Sequence, residues 1–405
     1  MVREENYDVV IVGCGVGGLY TALNLPSEGR ILMICKEDIE SCDSMLAQGG
    51  ICVLRDETDY DAYFEDTMRA GHYENRKESV DIMIRSSRDV INNLLKLGVG
   101  FDKNPDGSLK YTKEGAHSQP RICFHEDITG KEITTTLQTR VKELPNVEIR
   151  EYTVMTDILT ANGACAGIQA RTRDNSSLFI HARDTVMATG GIGGLYQHST
   201  NFPCLTGDAL TVAQKHGVKL EHLDYVQIHP TSLYTEKPGR SFLISESARG
   251  EGAVLLNGKG ERFVNELLPR DAVSQSIEAE MKKEGSCHVW LSFAPIPQKT
   301  ILEHFPHIYE TCLEEGYDIT KEPIPVVPAQ HYFMGGVWVD LDSRTSMEHL
   351  YAVGETSCNG VHGKNRLASN SLLESLVFAG KAAKRIENSQ KGRIHYESNY
   401  HAAYC

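Results

Sequence analysis

Residues 7–25 constrain the fold more than any other part of the chain. Tyr7-Asp8-Val9-Val10-Ile11-Val12 reads as a buried parallel strand, since its apolar residues run on rather than alternate with polar ones. It leads into Gly13-Cys14-Gly15-Val16-Gly17-Gly18 and then into a helical pattern over 19–25. Each glycine has a task in that setting. Gly13 permits a tight turn, Gly15 lets a pyrophosphate approach the backbone, and Gly18 allows close helix–strand packing. The second strand, 30–35, ends about 20 residues further on, where a ribose-binding acid is expected. Lys36 comes first there and Glu37 follows, so the acid is displaced by one place.

Two later signals separate FAD from NAD. Asp184-Thr185-Val186-Met187-Ala188-Thr189-Gly190-Gly191 is a strand ending in a glycine turn, and His349-Leu350-Tyr351-Ala352-Val353-Gly354-Glu355 is a late strand ending in Gly-acid. A strand of that second kind can return to the first sheet and hold ribityl hydroxyls through its carboxylate. A fold that binds only NAD does not need it. The three signals together imply FAD.

Just beyond lies Gly360-Val361-His362-Gly363-Lys364-Asn365-Arg366-Leu367-Ala368-Ser369-Asn370-Ser371. Ser371 and Glu374 have capping-box spacing, and Leu372, Leu373, Leu376, Val377, Phe378 and Ala379 make the helix apolar nearly all round, hence buried. Its N-terminus would aim a partial positive charge and free N–H groups inward, and Arg366 beside it suits an anionic substrate or cofactor.

The bulk numbers remove several function classes. A net charge of −14 with no long basic run argues against a nucleic-acid partner, though not against a local basic pocket for a small dianion. Met1-Val2-Arg3-Glu4-Glu5 runs straight into the first strand, unlike a signal peptide, and no stretch has the roughly 18 uninterrupted apolar residues of a membrane span. Eleven cysteines lie scattered without zinc or haem spacing, so no metal is expected, the thiols read as reduced, and the expected location is cytoplasmic. Cys14 and Cys42 read as small apolar fillers.

With 405 residues the chain can build two domains and a large core. Helical periodicity spans 80–97, a turn falls at Asn104-Pro105-Asp106-Gly107, a strand-like pattern covers 224–234, and 274–283 is helical. A connector rich in proline (Pro323, Pro325, Pro328) precedes Gly335-Gly336-Val337-Trp338-Val339-Asp340. The expected architecture is α/β: a Rossmann-like FAD-binding domain, residues 1–222 and 332–405, interrupted by an inserted domain at 223–331. A ligand cleft between the two is the default for such a layout. Polar candidates cluster in loops marked by glycine or proline: His229, Glu246, Arg249, Arg270 and, at the hinge, His331. Histidines and arginines gathered beside a flavin fit a dicarboxylate.

From Tyr7 to about Ile386 the chain closely resembles the succinate dehydrogenase/fumarate reductase flavoprotein superfamily and, within it, the L-aspartate oxidase family. The shared marks, in order, are Ala47-Gln48-Gly49-Gly50-Ile51, Ala188-Thr189-Gly190-Gly191, His229-Pro230-Thr231, Arg249-Gly250-Glu251-Gly252, Pro269-Arg270-Asp271, His331-Tyr332 and Asn365-Arg366 through Glu374. The resemblance implies a flavin domain of the glutathione-reductase type interrupted by an α+β capping domain at 223–331. It also implies that His229, His331 and Arg366 hold substrate carboxylates, that Arg270 is the proton-transfer arginine, and that Glu246 and Arg249 are its relay. Glu114, in Thr112-Lys113-Glu114-Gly115-Ala116-His117-Ser118, corresponds to the glutamate that meets the substrate ammonium. Asp43 stands where the membrane enzymes carry the histidine that attaches FAD, so the flavin is expected to be non-covalent. Candidate cofactor contacts are Gly13, Cys14, Gly15, Val16, Gly17, Gly18, Lys36, Asp43, Ser44, Ala47, Gln48, Gly49, Gly50, Gly190, Gly191, Asp208, Glu355, Ser371 and Leu372.

The implied reaction is oxidation of L-aspartate to iminoaspartate with oxygen or fumarate as acceptor, feeding quinolinate synthase and NAD biosynthesis. A soluble fumarate reductase using the same clamp, and a non-catalytic flavin-binding scaffold, are the competing readings. Aspartate oxidases usually continue into a C-terminal helical domain, which this chain, ending at Cys405, is expected to lack.

Overall fold

The computed structural model describes residues 3–237 and 239–403, with side chains described through Lys391. Its largest sheet has seven strands. Five of them are parallel: Val147–Arg150, Ile31–Ile34, Arg3–Val12 and Ser177–Met187 lie side by side in that order, and Leu350–Ala352 pairs with the last turn-proximal residues of Ser177–Met187. The register Leu350↔Thr185, Tyr351↔Val186 and Ala352↔Met187 shows that the late strand does return to the first sheet. The other half of the same edge is taken by the antiparallel strands Ala164–Arg171 and Val154–Ala161.

Strand Arg3–Val12 is buried on both faces from Val9 to Val12, as its continuous apolar run requires. Helix Val16–Asn24 follows directly, and helix Ser371–Ala403 packs against it. Leu373, Leu376, Phe378 and Ala379 of the long helix are fully buried in a core shared with Ile11, Leu19 and Met33. Burying side chains of that size contributes about 1.5–3 kcal/mol each, which explains why the apolar first turns of this helix are stable here.

Residues 226–333 form a second, four-stranded antiparallel sheet, ordered Val226–Leu233, Ile324–Phe333, Val289–Ser292, Val254–Leu256. It has its own apolar core, including Ile244, Leu255, Ile277, Phe293 and Phe305. The helix read at 274–283 is longer than its apolar pattern shows. It runs Arg270–Glu284 and begins at Arg270 itself, because Pro269 supplies the N-cap position where no N–H is needed. Helix Lys77–Leu97 ends at Gly98, whose φ of 106° is the left-handed conformation of a glycine C-cap. Among the described residues no helix is long and apolar enough to cross a membrane, and no cluster of His, Cys, Asp and Glu could hold a metal ion.

Candidate active site

One cavity extends from the carboxyl ends of the parallel strands to the four-stranded sheet. Crevices form at this edge of an open parallel sheet because the strand ends diverge into loops there. Of the residues singled out in the sequence, all but three line it; the exceptions are Gly18, Gly191 and Arg249. Each of the three acts from one layer behind. A Cβ on Gly18 would strike the Gly13 carbonyl, so Gly18 sets the packing of helix on strand. A Cβ on Gly191 would collide with the Glu355 carboxylate, so Gly191 makes room for that side chain. Arg249 is buried behind Glu246, with Nη2 3.6 Å from Glu246 Oε2 and Nη1 donating to the Glu266 carbonyl at 2.6 Å.

The nucleotide end matches the glycine logic. Gly13 has φ 116°, and its N–H donates to the Ile34 carbonyl at 2.8 Å. Gly15 is the N-cap of helix Val16–Asn24, and Ser44 Oγ accepts from Val16 N–H at 3.1 Å. Lys36 is drawn to Asp208 (2.9 Å) and Thr206 (2.8 Å) rather than to a solvent position. Several buried polar atoms face the cavity without a partner among the described residues: Asp43 Oδ2, Gln48 Oε1 and His229 Nε2. Buried polar atoms are nearly always hydrogen-bonded, so this cradle fits a ligand with many polar groups, and a dinucleotide is one. Burial lifts the Asp43 carboxyl to about 7, and burial with the nearby Asp43 lifts Glu355 to about 8. Desolvation pushes the half-buried Cys42 thiol up to about 12, which suits an inert filler.

The capping box does not form as its spacing implies. Glu374 is turned to the Asn359 amide instead of back to the helix start, and Ser371 Oγ accepts from Arg366 Nη1. No described side chain therefore accepts from the first N–H groups of helix Ser371–Ala403, so this end keeps its positive field for whatever lies in the cavity. Burial raises the Glu374 carboxyl to about 7.

At the other end Arg270 and Arg366 approach one acceptor, a residue that the sequence reading missed. Gln227 Oε1 takes Arg270 Nη1 at 2.9 Å and Arg366 Nε at 3.3 Å, while its amide nitrogen donates to Asn365 Oδ1 and the Arg366 carbonyl, both at 2.8 Å. The available signal was its place two residues before His229 on one strand, where side chains share a face. Arg366 also lies over the Tyr332 ring at 4.0 Å. Burial and then Arg270 lower its guanidinium to about 10, still protonated at neutral pH. Arg270 Nε donates to Glu246 Oε2 at 2.5 Å. Burial works to raise the Glu246 carboxyl, but Arg270 and Arg249 together outweigh it and hold Glu246 below its ordinary value.

Glu114 reaches the same cavity from the 112–118 loop. Ser247 Oγ donates to its Oε1 at 3.0 Å and Ser369 Oγ to its Oε2 at 2.5 Å. The sequence places Ser369 only in the polar start of the following helix and marks no role for Ser247. Burial and then Glu246 raise the Glu114 carboxyl, with Ser369, Arg270 and Ser247 opposing.

The histidines are neutral donors. Burial and then the surrounding guanidiniums hold His229 and His331 well below their ordinary value. Thr231 N–H donates to His229 Nδ1 at 3.2 Å, which assigns the ring proton to Nε2, facing the cavity. His331 Nδ1 pairs with Thr200 Oγ1 at 2.7 Å. In protein carrying nitrogen-labelled histidine, both rings are expected to keep neutral-form shifts from about pH 8 down to about pH 5.5. A titration of either ring centred near about 6.5 would contradict this assignment.

The chain is similar to known flavoproteins along most of its length. The family model described as "FAD binding domain" matches residues 8–372. An L-aspartate oxidase of Clostridium perfringens is 51% identical over 94% of this chain and 87% of the relative. One of Clostridium acetobutylicum is 48% identical over 94% and 88%. Among solved structures, the FrdA chain of E. coli quinol fumarate reductase superposes with a TM-score of 0.88 at 31% identity, covering 95% of this chain and 70% of that one. With these matches along nearly its whole length, the chain belongs to the FAD binding domain family and, within it, to the L-aspartate oxidase family.

Proposed function

We propose that this chain oxidises L-aspartate to iminoaspartate with FAD as cofactor and with oxygen or fumarate as the final acceptor. The observation that carries this is the presence of Glu114 on the same cavity as Arg270 and Arg366. Arg270 and Arg366 offer cations to the two carboxylates of L-aspartate, and Glu114 offers an anion to its ammonium, a group that succinate lacks.

Arg366, His229 and His331 bind the substrate carboxylates, the guanidinium as a cation and the imidazoles through N–H donation. Glu114 meets the ammonium. Arg270, oriented by Glu246 and Gln227, holds charge near the reacting carbon, and Arg249 steadies Glu246 from behind. Bound FAD supplies the two-electron acceptor. Its cradle is the glycine turn, Lys36 with Asp208, Asp43 to Gly50, Gly190, Glu355 and the start of helix Ser371–Ala403. The N–H groups at that start favour negative charge on the bound group. Asp43 in place of an attaching histidine supports non-covalent binding.

In the same reading residues 223–331 act as a capping domain, since His229, Glu246, Arg270 and His331 reach the cavity from that side. Iminoaspartate then passes to quinolinate synthase. A cytoplasmic location fits the ten described cysteines, all of them unbridged.

A dicarboxylate reductase would use the same clamp, and Glu114 separates the two readings. Glu114→Gln is expected to lower kcat/KM for L-aspartate by about a hundredfold, the effect of losing a charge-assisted contact in a buried site. Fumarate reduction should fall far less. Steady-state rates with both substrates check this. Unchanged L-aspartate kinetics would remove the amine-selecting role.

A further inference from the structure

Each oxygen of the Glu114 carboxylate takes a hydroxyl donor from a different part of the chain. Ser247 belongs to the short helix Glu246–Gly250 of the inserted region, and its own Oγ accepts from Ser245 Oγ at 3.2 Å. Ser369 belongs to the loop that carries Arg366 into the long helix. Ser369 sits at φ 60°, a conformation costly for a residue with a Cβ. Its backbone is fixed there: its carbonyl accepts from Cys52 N–H at 3.0 Å, and the preceding Ala368 carbonyl accepts from His117 Nε2 at 3.0 Å. The Glu114 carboxylate lies over Gly49, where any Cβ would strike Oε1. Strain kept at one residue so that its hydroxyl meets one carboxylate marks a positioning role.

We propose that Ser247 and Ser369 are specificity-determining positioning residues, which fix Glu114 relative to Arg366 and keep it an ionised acceptor for the substrate's amino group. This rests on the reading of Glu114 given above. The charged groups that face Glu114 are Glu246, Arg249, Arg270 and Arg366, and burial keeps the nearby Cys52 thiol neutral. Glu246 disfavours its ionisation, and the guanidiniums favour it. The two serines add direct donation to the ionised form, and nothing else bonds to those oxygens among the described residues. Ser247 also makes selection depend on the inserted region being docked, since one of the two donors arrives with it.

Ser369→Gly is an informative variant, because glycine accepts φ 60° freely and the substitution removes the hydroxymethyl group without backbone strain. Ser247→Ala removes the other donor. Binding is measured by calorimetry on anaerobically reduced holoenzyme, which cannot oxidise L-aspartate, with L-aspartate and with succinate. Each variant is expected to bind L-aspartate about tenfold more weakly, the effect of losing one hydrogen bond to a charged group. Succinate affinity should change by less than about twofold. The acid limb of kcat/KM for L-aspartate should move to higher pH, since a donor that lowers the Glu114 pKa has gone. Equal weakening of both ligands, or an acid limb that stays in place, overturns the proposal. Glu114→Gln is run beside them. If it retains wild-type preference for L-aspartate, the role of Glu114 itself fails. If it loses that preference while the serine variants keep theirs, only the present inference fails.

Discussion

Replacing Arg270 by Gln is expected to reduce L-aspartate turnover by about a thousandfold, equivalent to about 4 kcal/mol of barrier. The side chain is nearly fully buried, donates to Glu246 at 2.5 Å and to Gln227 at 2.9 Å, and faces the cavity beside His229. Glutamine keeps some volume and a donor but removes the charge. Glu246 would then keep only Arg249 at 3.6 Å as a cationic neighbour, leaving a buried carboxylate poorly compensated. Lysine should rescue little, since a point charge cannot serve Glu246 and Gln227 with two donors in one plane. Flavin content should stay normal, because Arg270 lies outside the nucleotide cradle. Single-turnover reduction under anaerobic conditions measures the effect, and a loss of less than about tenfold would remove Arg270 from the reacting centre.

Gly13→Ala should give a protein that purifies with little or no flavin. The backbone there has φ 116°, and a Cβ would run into the Ala188 carbonyl oxygen at the mouth of the neighbouring strand. The angle alone costs about 1–3 kcal/mol in an L residue, and the clash forces two strand ends apart where the pyrophosphate is expected to sit. Flavin absorbance per protein, with far-ultraviolet circular dichroism to show that the fold persists, makes the comparison. Full flavin occupancy would show that the turn tolerates a side chain and that the cradle lies elsewhere.

The glycine turn, the returning strand Leu350–Ala352 and the cationic loops were legible because each depends on residues close together in sequence. A buried parallel strand announces itself by its apolar run, and a tight βα turn by glycine at fixed spacing. Gln227, Ser247 and Ser369 were not legible, since each matters through a partner brought from another segment. A lone serine in a loop carries no local signal of the carboxylate that it will meet. Glu374 shows the converse failure. Its spacing from Ser371 satisfied the capping rule, but Asn359, supplied by the preceding loop, claimed the carboxylate first. Local rules lose when tertiary structure offers a buried group a better partner.

The pairing of Leu350–Ala352 with Thr185–Met187 has a consequence for biogenesis. While the chain is being synthesised, the tip of Ser177–Met187 must wait with unpaired amide and carbonyl groups until everything up to Ala352 has emerged. That bare ribbon edge can accept a foreign strand, so overexpression is a hazard for the nascent polypeptide. Closing so distant a contact is also slow. Supplying riboflavin and lowering the growth temperature should raise recovery by giving the late segment time to dock.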